Sequence, residues 1–399
     1  MRVGARRPEA SICRWFGRAL RRRLLRAAPP PPLAARAVGP LAAFCLLVQG
    51  TPAPAATHPF GKPGEPIKLV VGFNPYFAPA WTLAVVHHKG LWKKRLPEGS
   101  QVELNVGLRG PALADYLRNG EVHFAYFGDA AVALAAAKPD IRLIAVTMMS
   151  QDLCVLLVRA DAPRFASARE GARWLDGKRI ATTPGTCQGR ITQLVLDRER
   201  VKPARLLDLG RELLELAFRE GRIDAAGVPE PGASDLVLRG VARRLASSRI
   251  YGQWDASFIA TSAALLRARP DVISGWLAAE LEAQRFLADP RNADEAVRML
   301  ATYARHVSAQ AVRAALYGAY PESQGGAAER AVFPFVFSGE ARETVRKIHA
   351  YAQRLGLAPA GELAPEVVDG RWAERALAAA GFKSPLGRLH ALAPVGVGS

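Results

Sequence analysis

Two acids in this sequence close two copies of one pattern. Leu117–Asp129 reads LRNGEVHFAYFGD, and Phe218–Glu230 reads FREGRIDAAGVPE. Both carry arginine second, glycine fourth, a β-branched residue sixth, alanine ninth and an acid last. Paired carboxylates suit general acid–base chemistry or hydrogen bonding to a ligand's donors. Each acid ends its own helix–Gly–strand unit, so the pair reads as belonging to two α/β lobes that share a crevice. Their separation would change as the lobes close. Gating or ligand binding therefore fits them better than hydrolysis.

Thr182-Thr183-Pro184-Gly185-Thr186 is a second feature. Gly185 permits a close turn, Thr186 can N-cap the next helix, and the amides of that first turn attract an anion. Arg190 lies one turn further on. An ordinary capped strand-to-helix turn has the same composition. Cys187, at a helix start, is placed to have a lowered pKa. A nucleophile needs an orienting base, and no histidine is placed beside it by sequence. Cys187 reads as a pocket-wall residue or as a disulfide partner of Cys154. His87-His88 sits at a helix end beside Lys89 and reads as solvated rather than as a metal site. There is no dinucleotide fingerprint and no P-loop, so no cofactor is expected.

The elements that must hold these residues are strands alternating with helices, as a mostly parallel sheet in each lobe requires. In open parallel sheets the crevice forms at the carboxyl ends of strands. Those ends supply Asn74, Tyr76, Phe77 and Trp81; Arg109 and Gly110; Asp129; Ser150 and Gln151; Thr183, Gly185, Thr186, Cys187 and Gln188; and Glu230. Aromatics, amides and hydroxyls with a few charges suit a small polar molecule. Arg109, Arg190 and the Thr186 turn favour an anionic group on it. Asp129 and Glu230 favour an amine or hydroxyl.

The expected strands are Ile67–Phe73, Val102–Val106, Val122–Phe127, Ile141–Met149, Cys154–Val158, Arg179–Thr183 and the strand leading to Glu230. Leu206–Glu220 reads as one amphipathic helix. From Ser262 the chain reads as almost all helix, with Phe333, Phe335 and Phe337 as packing residues. From Phe382 it reads as a frayed tail.

The 399 residues have ordinary globular composition, 50% hydrophobic and 23% charged, and are long enough for two domains. The net charge of +18 is unevenly placed, because residues 1–56 hold ten arginines against one acid, Glu9. That segment reads as a cleaved export signal. It has a basic start, an apolar stretch Ala37–Val48 too short to span a bilayer, and small residues at Ala53–Ala56. Arg21–Arg26 has the shape of a twin-arginine signal, although Pro29–Pro32 separates it from the apolar stretch. The rest of the chain has no run of five like charges, which argues against nucleic-acid binding. Two cysteines remain after the leader, Cys154 and Cys187, and their spacing is not that of a zinc site.

Five motifs occur in order: Gly72-Phe73-Asn74-Pro75 after a strand; Lys89-Gly90-Leu91 after a helix; Gly120–Phe124 followed by Gly128-Asp129; Gly177-Lys178-Arg179-Ile180-Ala181 followed by Gly185-Thr186; and Gly221-Arg222-Ile223-Asp224-Ala225 leading to Glu230-Pro231. This order resembles the periplasmic substrate-binding proteins of nitrate/sulfonate/taurine-type ABC importers, within the type II periplasmic-binding-protein superfamily. The resemblance covers roughly residues 66–305.

It implies an α/β fold of two lobes closing on a ligand, with a helical C-terminal extension. Residues 66–152 and 256–385 would form lobe 1 and residues 153–255 lobe 2, with crossings near Ser150–Leu153 and Ser247–Phe258. The family pattern adds Gly128 and Pro184 to the pocket. It implies an exported, periplasmic, monomeric and non-enzymatic protein. Its partners would be a small-molecule ligand and an ABC permease with its ATPase, reaching the membrane only through that permease. Tyr76, Phe77 and Trp81 make the first loop unusually aromatic, which favours an organic sulfonate or zwitterion over nitrate. Two other readings keep the fold: an enzyme of the related pyrimidine-synthase type, and a ligand-sensing module for a membrane receptor.

Overall fold

Leu69, Val71 and Phe73 are completely or almost completely buried in the first strand, and Gly72 between them packs against Leu113 and Val122. Burial of successive residues from Val71 to Phe73 is what a strand covered on both faces requires. The computed structural model describes residues 60–394, so the expected leader, residues 1–56, lies outside the described residues.

The strands in chain order are β1 Lys68–Phe73, β2 Gln101–Val106, β3 Phe124–Phe127, β4 Ile141–Ser150, β5 Cys154–Arg159, β6 Arg179–Thr182, β7 Arg205–Asp208, β8 Ala225–Pro229, β9 Ala242–Ser247, β10 Asp255–Ser262, β11 Gly318–Ala319, β12 Glu329–Phe333, β13 Gly387–His390 and β14 Ala393–Pro394. They form a seven-stranded sheet, β13-β12-β4-β10-β3-β1-β2, a five-stranded sheet, β7-β6-β8-β5-β9, and the small pair β11-β14. The two large sheets are the cores of two lobes.

Both large sheets are mostly parallel in strand direction. In the first, β10 and β12 oppose the other five strands. In the second, β5 opposes the other four. Two of the reversed strands, β5 and β10, are those that arrive from the other lobe, across residues 151–153 and 248–254. Each lies inside its sheet, β5 between β8 and β9, β10 between β3 and β4.

Three expectations are corrected. Leu206–Glu220 is not one helix, because Arg205–Asp208 pairs in parallel with β6 and the helix begins only at Arg211. Gly210, extended at φ −70° and ψ 158°, separates the two. The stretch after Ser262, read as almost all helix, contains the strand β12, Glu329–Phe333, and just before that stretch the unassigned Asp255–Ser262 forms β10. The chain after Phe382 is not frayed at its start, since β13 pairs antiparallel with β12 and buries Leu389. A short strand at a sheet edge has too few apolar residues to announce itself by alternation.

The long helix Pro270–Ala288 packs on the first sheet. Trp276 stacks on Phe124 with centroids 5.3 Å apart. Its Nε1 donates to the Tyr126 hydroxyl at 2.8 Å, and that hydroxyl donates to Glu280 Oε2 at 3.0 Å. Burial pushes the Glu280 carboxyl up to about 7 despite hydrogen bonds from Gln284 and Tyr126. Among the described residues no helix is long and apolar enough to cross a membrane.

Candidate functional site

Four helices start at one cavity between the sheets. Gly110–Arg118 follows β2, Asp129–Ala137 follows β3, Cys187–Arg198 follows β6 and Arg211–Arg219 follows β7. The cavity, about 70 Å³, is lined at these starts by Arg109 and Gly110, Gly128 and Asp129, Thr186, Cys187 and Gln188, and Gly210 and Arg211. Three of the four N-cap residues, Arg109, Gly128 and Gly210, give no side-chain cap. First-turn amides have no partner inside their own helix, and the helix dipole adds partial positive charge there. Amide groups of this kind from both lobes therefore surround a single space.

The walls are set by close contacts. Asn74 Oδ1 accepts from the Tyr76 amide at 2.8 Å, and its Nδ2 donates to the Leu108 carbonyl at 2.9 Å, tying the first loop to the second. At Gly128 a Cβ would lie 3.1 Å from both Phe77 Cζ and the Ala256 carbonyl oxygen, so a side chain there would push against Phe77 where it closes over that turn. Gly185 has a φ of 75°, and a Cβ there would approach Leu357 to 2.7 Å.

The charged groups divide by depth. At the mouth, Arg109 of the first lobe donates to Glu212 Oε1 of the second at 2.9 Å, and both side chains are well exposed. Deeper, the Arg211 guanidinium lies 4.6 Å from the centre of the Tyr76 ring, a cation–π contact between lobes. Its nearest carboxylate, Asp235, is 4.0 Å away, and its buried Nε has no hydrogen-bond partner. Arg190 is deepest. Its Nε donates to Asp129 Oδ2 at 2.7 Å, and its Nη2 donates to Asp255 Oδ1 at 2.8 Å and to the Trp254 carbonyl at 3.1 Å. Burial drives the Asp255 carboxyl up to about 7; Arg190 opposes that shift and Asp129 adds to it.

Ten of the expected site residues line the cavity: Asn74, Phe77, Arg109, Gly110, Gly128, Asp129, Thr183, Thr186, Cys187 and Gln188. Tyr76 touches it through Arg211. Pro184 and Gly185 shape the turn behind Thr186. Trp81, Ser150, Gln151 and Glu230 are placed elsewhere. Trp81 is fully buried and donates to the Pro75 carbonyl at 2.7 Å, bracing the first loop from behind. Ser150 donates to the Arg330 carbonyl and accepts from the Asp152 amide at 2.8 Å. Gln151 accepts from Arg249 at 3.1 Å.

Glu230 is the main correction to the expected site. It does not face Asp129 across a cleft. It is completely buried, accepts from the Ser234 amide at 2.9 Å and from Arg244 at 3.4 Å, and lies 4.0 Å from Arg330. The same two arginines hold Asp152, in the first crossing, and both face the Tyr320 ring. Buried carboxylates persist where cations and hydrogen bonds offset desolvation, and Arg244 and Arg330 do this for Glu230. Asp129, although at the cavity, is likewise paired rather than free for a ligand amine.

Arg211, Gly210 and Leu108 line the cavity and were not among the expected residues. The signal for the first two was present in Leu206-Leu207-Asp208-Leu209-Gly210-Arg211, a short apolar run, a glycine and a helix start. Catalytic groups are sparse here. Although contact with Cys154 lowers it, the Cys187 thiol is raised on balance by burial and by the carboxylates of Asp255 and Asp129. His87 is turned away, against Tyr303 at 2.9 Å. Among the described residues no histidine lines the cavity.

Solved structures share this architecture. The alkanesulfonate-binding protein SsuA from Xanthomonas axonopodis pv. citri, bound to MOPS, aligns over 76% of this chain and 98% of its own at 20% identity, with a TM-score of 0.61. The periplasmic nitrate-binding protein NrtA from Synechocystis PCC 6803 aligns over 81% of this chain and 92% of its own at 15% identity, with a TM-score of 0.63. The desulfurization enzyme DSZB aligns over 78% and 99% at 16% identity, with a TM-score of 0.58. At these identities the likeness is one of fold. No curated protein matches the sequence. The model of the NMT1-like family matches residues 62–301, more than half of the chain, and the protein belongs to that family.

Proposed function

We propose that the protein is an extracytoplasmic solute-binding protein that captures a small organic anion between its lobes and delivers it to an ABC importer. The observation that carries this reading is the convergence of four helix starts with Arg109 and Arg211 on one cavity. Preorganised amides and guanidinium groups hold an anion without reorganising at the moment of binding. A sulfonate or carboxylate head would lie among the helix starts, and Phe77, Leu108 and Leu113 would cover an apolar tail. Delivery to a permease, and residence in the periplasm, rest on proteins that share the fold, the periplasmic nitrate-binding protein NrtA and the periplasmic sulfonate-binding protein of a putative sulfonate ABC transporter.

Ligand-driven closure follows if the anion binds the closed form better than the open one. Binding without turnover is favoured because, among the described residues, no histidine lines the cavity to act as an orienting base for a nucleophile. A thermal-shift screen of the protein against sulfonates, nitrate, amino acids and pyrimidines tests the reading. A raised melting temperature with an anionic member, which is recovered unchanged, supports it. No shift with any of them, or conversion of the ligand, contradicts it.

A further inference from the structure

β5 and the helix Cys187–Arg198 bring two thiols together within the second lobe. The sulfurs of Cys154 and Cys187 and a carboxylate oxygen of Asp255 all lie within 4.8 Å of one another. Both cysteines are free. They differ in access, because Cys187 lines the cavity and Cys154, with no exposed surface, lies behind it. We propose that the two form a dithiol–disulfide pair in which Cys187 meets an external disulfide through the cleft and Cys154 resolves it.

The chemistry balances with a small disulfide, RSSR, as oxidant. The Cys187 sulfur attacks one sulfur of RSSR, forming a mixed disulfide and releasing one thiolate, RS⁻. The Cys154 sulfur then attacks the Cys187 sulfur, closes the Cys154–Cys187 bond and releases the second RS⁻. Two cysteine thiols are oxidised by two electrons, RSSR is reduced, and the two thiol protons end on two RSH.

The surroundings suit this order. The Arg190 guanidinium, 2.8 Å from Asp255, and the contact with Cys154 both favour negative charge on the Cys187 sulfur. Both oxygens of Asp255 are already engaged, Oδ1 by Arg190 and Oδ2 by Ser248 at 2.9 Å, which favours a thiol pair over a metal-binding trio. Burial above all holds the Cys154 thiol in its neutral form, so the pair waits for an oxidant that enters by way of Cys187. Once formed, the bond would pin the first turn of a cavity-wall helix to the strand that leaves the first crossing.

The test uses the full chain, incubated with oxidised glutathione, alkylated under denaturing conditions and digested with trypsin without reduction. The expected product is the peptide Leu143–Arg159 linked to Ile180–Arg190. Cys154→Ser should accumulate glutathione on Cys187, whereas Cys187→Ser should leave Cys154 unmodified. Separate alkylation of both cysteines in the oxidised wild-type chain would overturn the proposal. So would glutathione on Cys154 in Cys187→Ser at the rate seen on Cys187 in Cys154→Ser. One equivalent of zinc retained by the wild-type protein and lost in Cys154→Ser would overturn it in favour of a metal site.

Discussion

Arg190 Nε lies 2.7 Å from Asp129 Oδ2, and this buried pair joins a helix of the second lobe to a helix of the first across the cleft. The contact holds the lobes together without any ligand atom in it. It leaves the more exposed Arg109 and Arg211 as the cavity's cations.

Arg190→Gln would leave Asp129 and Asp255 buried without their shared cation. Breaking a buried pair in this way costs about 3–5 kcal/mol, to be read as a lower urea midpoint at unchanged m-value. The other inter-lobe pair behaves differently, because Arg109 and Glu212 are solvent-exposed. Glu212→Ala should cost no more than about 1 kcal/mol. Equal losses for the two variants would show that the buried pair is not what joins the lobes.

Glu230→Ala should act on stability before affinity. It removes one of the two carboxylates that Arg244 and Arg330 share, Asp152 being the other, again at about 3–5 kcal/mol. Calorimetric affinity for the identified ligand, measured well below the melting temperature, should change less than about threefold, under 1 kcal/mol. A hundredfold loss of affinity with unchanged melting would return Glu230 to the site.

Glu280 gives a pH signature with a definite sign. Its folded-state pKa, about 7, stands above its ordinary value of 4.5. The folded protein therefore binds the proton more tightly than the unfolded chain does. The stability this contributes is full below pH 4.5 and is lost as pH rises towards about 7. Glu280→Gln keeps the shape and removes the titration. The difference in unfolding free energy between wild type and variant should shift against the wild type across that window. A difference independent of pH would contradict the raised pKa.

Arg211→Met should weaken binding of an anionic ligand by about 10- to 100-fold, the loss of one charged hydrogen-bonding group worth about 1.5–3 kcal/mol. The fold should survive, since Arg211 has no carboxylate nearer than 4.0 Å. Unchanged affinity in titration calorimetry would place the anion elsewhere.

Much of this site was legible because strand ends declare themselves. Gly72–Pro75, Gly128-Asp129 and Gly185-Thr186 mark three turns by residue type alone, and all three border the cavity. The fourth, Gly210-Arg211, was hidden because β7 is only four residues long and its leucines continue the helical period of the next segment. Glu230 was misassigned for a different reason. Its position in the repeat matches that of Asp129, but its neutralising partners, Arg244 and Arg330, lie on β9 and β12, and no local pattern links them to it. Pairing of buried charges is a tertiary property, so spacing along the chain does not disclose it.

Selection of an anionic head group by the cavity is measured by titration calorimetry with an alkanesulfonate and the matched neutral sulfonamide, on one preparation. The sulfonate should bind at least about tenfold tighter, a difference of about 1.4 kcal/mol, and Arg211→Met should lose most of that preference. Equal affinity for the two, or tighter binding of the sulfonamide, would contradict it.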